Sequence, residues 1–309
     1  MSAPAGSREA NGAPLAVSLV VCTRDRPEML AETLRSILDG DAVPAELIVV
    51  DQSRRSSRPS GLPARGCDVR WLTIDGVGLS RANNAGAAAA RHDRLVFTHD
   101  DVRVAPGWLG ALTGALQRAG ERTVVTGRIL AGEPEVAGGY APTLRVQVEP
   151  AVYEGRIGYD VLKPLNMAMH RSTLAAVGGF DERLGPGTPF PGAEDSDLGF
   201  RLLEAGYRIV YVPEAVLHHR AWRTGREYLP LRWRYGIAQG AFYAKHLRRS
   251  DLHVLKRAAR DVQWRASQFP RRLRREGLRA LGDPVFVVGN VVGAARWWWR
   301  EAGPGRSLR

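Results

Sequence analysis

Carboxylates in this sequence stand where apolar runs stop. LAVSLVVC (15–22) is followed by Thr23-Arg24-Asp25, ELIVV (46–50) by Asp51, and the run from Leu95 to Thr98 by His99-Asp100-Asp101. One acid after a strand is usually a turn former or a helix cap. Several on one edge repel one another and need a cation or many donors to offset them. Adjacent aspartates suit a hard divalent ion, and magnesium commonly keeps one or two carboxylates together with substrate phosphates. Further along, Glu194-Asp195-Ser196-Asp197 opens a helical pattern, where Asp197 reads as a cap favoured by the helix dipole. His218-His219 is either a structural or solvated pair or a further ligand for a cation on Asp101. Asp51 can accept from a base or ribose, and Arg81 either pairs with phosphate or sits solvated on its helix.

The elements that carry these residues alternate. Strands are expected at 15–22, 46–50, 69–74 and 95–98. Helices are expected from Pro27 (PEMLAETLRSIL) and after the glycine-led turn of GVGLSRANNAGAAAAR. Strand–helix alternation means an α/β, Rossmann-like, mostly parallel sheet flanked by helices, which binds ligands beyond the carboxyl ends of its strands. Further strands read at 123–130, 166–169 and RIVYV, with a turn at Pro213 before the histidines. The Gly/Pro-rich stretch 178–192 reads as a mobile loop or one that a ligand approaches closely. Trp108, Phe190 and Trp222 are either core or stacking platforms for rings. The first strand–helix turn has neither G-x-G-x-x-G nor G-x-x-x-x-G-K-[ST], which disfavours a dinucleotide fold and a P-loop NTPase.

The net charge of +12 is unevenly placed. Residues 1–220 carry 24 Lys/Arg against 26 Asp/Glu, and residues 221–309 carry 20 against 6. This shift marks the expected boundaries: a flexible leader over 1–14, a catalytic domain over 15–220, and a basic helical extension over 221–309 that holds six of the eight tryptophans. Basic, tryptophan-rich helices suit an anionic membrane surface; the plainer alternative is a solvated helix pair packed on the domain. No nucleic-acid motif is present. No apolar run reaches a membrane span, no secretory signal opens the chain, and two cysteines cannot build a disulfide framework, so a cytoplasmic protein is expected.

The segments VVCTRDRPEML, ELIVVDQS, GVGLSRANNAG, FTHDDVRVAPGWL, NMAM, GGFDE and GAEDSDLGFRLLEAGYRIVYVPEAVLHH resemble, in order and separation, the family-2 glycosyltransferases of GT-A fold over roughly residues 15–220. The resemblance implies an inverting transfer from a nucleotide-diphosphate sugar to an acceptor hydroxyl, lipid-linked or on a cell-envelope glycan, helped by Mn2+ or Mg2+. It implies base and ribose contacts at Thr23 and Asp51, diphosphate contacts at Arg24 or Arg26, and donor-site roles for Arg81 and Asn84. Asp100 would lie near the ribose or sugar, Asp101 and His218 would hold the metal, and Asp195 would be the catalytic base. His99 stands where the family often has aspartate. The Q-x-x-R-W motif and transmembrane helices of processive members are not seen, which favours transfer of one or a few sugars. A non-catalytic scaffold of the same fold is the rival reading; a nucleotidyltransferase would need a glycine-rich loop that CTRDRPEML lacks. The extension would then hold the enzyme at the inner face of the membrane.

Overall fold

The computed structural model describes residues 13–55, 58–63, 65–247 and 251–301. Most of the expected leader therefore lies outside the described residues. The first half builds β1 (Leu15–Thr23), α1 (Pro27–Leu38), β2 (Pro44–Asp51), β3 (Asp68–Thr73), α2 (Leu79–Ala89), β4 (Arg94–His99), β5 (Val102–Val104) and α3 (Trp108–Ala119). Then follow β6 (Thr123–Ala131), β7 (Ala151–Tyr153), β8 (Met167–His170), α4 (Arg171–Ala176), α5 (Glu194–Glu204) and β9 (Arg208–His219). The sheet runs β3-β2-β1-β4-β8-β6-β9-β5, with β7 also on β9. β3, β2, β1 and β4 are parallel, as are β6 and β9; β8 enters antiparallel between β4 and β6.

Register makes the acidic edge. Thr23 pairs with Asp51 across β1 and β2, and Cys22 with His99 across β1 and β4, so three strands end at one level. The pleat sends Val17, Leu19 and Val21 to a core under α1 and α3, and Val20 and Cys22 to a second core under α2 and α5. Gly86 lets α2 approach that face, because a Cβ there would stand 2.4 Å from Val20.

β9 differs from expectation. It does not stop at Pro213 but runs on to His219, the pairing with β6 jumping from Gly127–Val212 to Arg128–Val216. A bulge absorbs the extra residues and gives the proline a place without a ladder bond. Burial alternates through it, with Ala215, Leu217 and His219 inward.

Beyond residue 220 stand α6 (Tyr228–His246), α7 (His253–Glu276) and α8 (Gly282–Glu301). α6 and α8 meet backbone to backbone through Gly236, Gly240, Gly289 and Gly293: a Cβ on Gly240 would lie 1.9 Å from the Asn290 carbonyl oxygen, and one on Gly293 2.0 Å from that of Ile237. Ile237, Ala241 and Trp297 of this pair pack on Leu184 and Phe190. Contrary to the expectation from the sequence, one described helical stretch, 253–301, is long and apolar enough by length and composition to cross a bilayer. Yet Asp283, Asn290 and the glycine face lie buried within the protein.

Alanine normally stabilises a helix relative to glycine, but here its methyl group has no room. Gly240→Ala or Gly293→Ala is expected to destabilise the protein by about 1–3 kcal/mol in urea denaturation. A stability gain would show that the helices do not pack this closely.

Candidate active site

A cleft of about 750 Å³ opens over the carboxyl edge of the sheet. Its floor carries Thr23, Arg24, Arg26, His99, Asp100 and Asp101, and one side the start of α5 with Glu194 and Asp195. Thr23 Oγ1 donates to Asp100 Oδ2 at 2.7 Å. Arg26 Nη1 bridges the two aspartates, 3.3 Å from Asp100 Oδ1 and 3.0 Å from Asp101 Oδ2. Burial and the neighbouring Asp101 push Asp100 up to about 6, against the pull of Arg26 and Thr23. For Asp101, burial acts upward but is outweighed by contact with His219 and by the charges of His219, His99 and Arg26, which hold it far below the usual carboxylate range. Burial pushes His99 down to about 4, so it is neutral at pH 7.

Asp101 Oδ1 is buried without a hydrogen bond among the described residues, and His219 Nε2 lies 3.5 Å from it. No group of three or more acidic, histidine or cysteine side chains among the described residues could hold a metal unaided. The pair nevertheless fits a divalent cation whose remaining ligands are phosphate oxygens and water, the usual habit of magnesium.

Several expected site residues are placed elsewhere. The histidine beside Asp101 is His219, not His218: Val102 pairs with His219, and successive strand residues face opposite ways. Counting by twos from buried Leu217 finds it. Asp51 is 1% exposed, and its carboxylate accepts from Ser53 N at 2.9 Å and Trp71 Nε1 at 3.2 Å, so Gln52 rather than Asp51 lines the cleft. Asn84 clamps the glycine turn of 178–179: its Oδ1 accepts from Phe180 N at 2.8 Å, and its Nδ2 donates to Phe180 O at 2.9 Å. Arg81 is exposed on α2, its guanidinium against Gly76, and it does not line the cleft. Arg24 stands at the cleft, 43% exposed and 3.6 Å from Asp25. Trp108 and Phe190 are core residues, buried to 1% and 2% exposure.

At α5 the three acids divide. Asp195 is paired with Lys163 and accepts from Ser196 N at 2.8 Å. Burial acts to raise its pKa, but the Lys163 charge and hydrogen bond win and lower it. Glu194 beside it is raised by burial and by the Asp195 charge, and its Oε2 has no hydrogen-bond partner among the described residues. The opposed shifts leave Asp195 as the ionised member of the pair. Asp197 is not a cap. Fully buried, it binds Arg201, Lys245 and His246, and Lys245 also reaches Asp181, so the start of α5, the 178–192 loop and α6 are tied together. Sequence reasoning passed over Lys163 although the chain has only three lysines, two of which hold α5 acids.

The family model for glycosyl transferase family 2 matches residues 18–169. An N-acetylglucosaminyl-diphospho-decaprenol L-rhamnosyltransferase of Mycobacterium tuberculosis is 52% identical over 62 residues, 20% of this chain and 19% of that protein. A pre-mycofactocin glycosyltransferase of the same species is 30% identical over 190 residues, 58% of this chain and 38% of that one. The chain thus spans from a fifth to two-fifths of these relatives' lengths. The mannosyltransferase PcManGT from Pyrobaculum calidifontis, solved in complex with GDP-Man and Mn2+, superposes with a TM-score of 0.53 at 18% identity, over 98% of this chain and 79% of that one. The fold is of GT-A type, a sheet flanked by helices and followed by a helical extension. Residues 18–169, just under half of the chain, carry the likeness to glycosyl transferase family 2.

Because Asp195 titrates below its unfolded value, the Lys163 pair stabilises the fold at neutral pH, and that contribution fades as pH falls through the folded pKa. Lys163→Met is expected to raise the Asp195 pKa by more than one unit, about 1.4 kcal/mol per unit, in a 13C-carboxyl titration. An unmoved titration would show that another group holds the carboxylate.

Proposed function

We propose that this protein transfers a glycosyl group from a nucleoside-diphosphate sugar to a hydroxyl of a glycan or lipid-linked acceptor, with inversion and with the help of a divalent cation. What supports this most is the placement of the Asp100–Asp101–His219 corner and the Asp195–Lys163 pair on one cleft. The acceptor oxygen attacks the anomeric carbon as the bond to the diphosphate oxygen breaks. The electron pair leaves with the diphosphate, and the acceptor proton passes to Asp195. A single displacement of this kind inverts the anomeric centre.

Asp195 must be ionised for its part, and Lys163 keeps it so. Thr23 and Gln52 stand where a nucleoside would lie, and Arg24 and Arg26 carry the positive charge nearest the diphosphate. Asp101 and His219 would hold Mn2+ or Mg2+, which supplies charge neutralisation for the leaving group. His99, neutral, contributes shape and polarity but no charge.

The extension exposes apolar and basic side chains of the kind that meet a lipid surface. α7 exposes Leu255, Val262, Trp264 and Leu273, and α8 exposes Val288, Val291, Trp298 and Trp299. Arg260, Arg271, Arg274 and Arg275 lie exposed along the same helix α7. Tryptophan settles at headgroup level, and arginine meets lipid phosphate. The rhamnosyltransferase relative is named for a decaprenol-linked substrate, which agrees with a peripheral position at the inner face of the membrane.

The transferase reading is tested by release of nucleoside diphosphate from sugar nucleotides with manganese present. Asp195→Asn is expected to lower turnover about 10²–10⁴-fold while nucleotide binding survives. Asp101→Ala should abolish the metal response. Turnover that ignores both substitutions, or pyrophosphate release from a nucleoside triphosphate, would sink the reading. In liposome flotation, Leu255→Asp with Val262→Asp should release the protein from anionic vesicles; unchanged flotation would remove the membrane face.

A further inference from the structure

The cleft does not end at the sheet. Its far wall is built by the extension, from Arg223, Leu231, Arg234, Tyr235 and Gln239, with Phe286 beside them. No aspartate or glutamate belongs to that wall. Most other cations of the cleft are neutralised: Arg26 by Asp100 and Asp101, Lys163 by Asp195, Arg265 by Asp261 and Asp283. Arg223 and Arg234 have no ion pair among the described residues. Arg223 Nη1 donates to the Trp222 carbonyl, and the acid nearest in charge to both arginines is the exposed Glu227, whose Oε2 accepts from Thr224 N and Oγ1 at 2.8 and 2.9 Å and which lies outside the cleft lining. Two guanidinium groups in a cleft without a direct ion pair keep their donors available to an anionic ligand.

Tyr235 places this wall relative to the chemistry. It lies within electrostatic reach of Asp195 and Glu194 on one side and of Arg223 on the other, and bonds to Thr143, whose backbone is held at a φ of 62°. Leu231 and Phe286 add apolar surface to the same wall, both more than 90% buried. Asp195, Tyr235, Arg223 and Arg234 thus line one cleft, with Tyr235 within electrostatic reach of both Asp195 and Arg223.

We propose that Arg223 and Arg234 form an acceptor subsite for a phosphate or diphosphate group, set so that the hydroxyl carried by that acceptor reaches Asp195. This rests on the transferase reading and names the acceptor class for it: an anionic, phosphate-linked acceptor. The charge of the extension then serves recognition at the cleft as well as attraction to a surface.

The test is calorimetric, on the full chain with the donor site saturated by nucleoside diphosphate and manganese. Inorganic pyrophosphate, farnesyl diphosphate and farnesol are titrated in turn. The wild type should bind both diphosphates and not farnesol. Arg223→Gln and Arg234→Gln should each weaken diphosphate binding about tenfold, about 1.4 kcal/mol, with unfolding temperatures unchanged. Equal affinity in the double variant, or farnesol binding as well as farnesyl diphosphate, overturns the subsite. If the double variant loses flotation on anionic vesicles but keeps farnesyl diphosphate, the arginines serve bilayer headgroups and the proposal also fails. Nucleoside-diphosphate binding by the wild type reports separately on the transferase reading, since the arginine dependence of pyrophosphate binding is read whichever way that falls.

Discussion

Carboxylates gathered in a partly dry cleft repel one another, and every feature of this site answers that repulsion. Taking an ion out of water costs several kcal/mol unless a counter-ion or donors replace the solvent. The protein distributes the answers unequally. Asp100 receives Thr23 and a share of Arg26 and is left near the edge of ionisation. Asp101 receives Arg26 and a histidine, yet keeps one oxygen without a hydrogen bond. Asp195 receives a lysine of its own, and Glu194 receives none and resists ionisation. The edge that lacks a donor is the one a cation fits, and the acid that owns a lysine is the one that can take a proton.

That distribution depends on elements far from the chemistry. The bulge in β9 carries a proline through the strand and still delivers His219 inward beside Asp101. Asp197 fixes α5 against α6 through Lys245 and the His246 ring, while Arg201 of α5 itself pairs with its other oxygen, so a fully buried charge is matched from both helices. The glycine seam between α6 and α8 brings the extension's own backbone together so closely that Phe286 can stand beside α6 at the cleft wall. Packing of the extension is thus part of the site.

The strand ends were readable because β1, β2 and β4 are short, apolar and parallel, and such strands finish in register. Thr23, Asp100 and Asp101 accordingly line the cleft from the strand ends, and Asp195, named by the resemblance, lines it from α5. The resemblance points to His218, but the bulge at Pro213, which propensity does not show, sets the phase of β9 so that His219 lies beside Asp101. Asp51 was read as open because nothing in ELIVVD shows that Trp71, on the next strand, will reach across to it. Asn84 and Arg81 share a helix with residues that do approach the sheet, but their own directions depend on the 178–182 turn and on Gly76. Lys163 lies in a stretch without period, where only its rarity among forty-four basic residues draws notice.

Charge also explains why catalytic and basic segments belong in one chain. On the transferase reading the edge of the sheet would hold its aspartates for a cation, and Arg26 already lies across them, so little positive charge is left there for a second anion. An acceptor that carries phosphate needs its cations on a surface those aspartates do not reach. The extension supplies one: it has 20 basic residues against 6 acidic, and the wall it gives the cleft has no acid. Separating the two fields keeps donor and acceptor charges from competing for the same side chains. Tyr235 stands between the two fields, within reach of the charges of Asp195 and of Arg223.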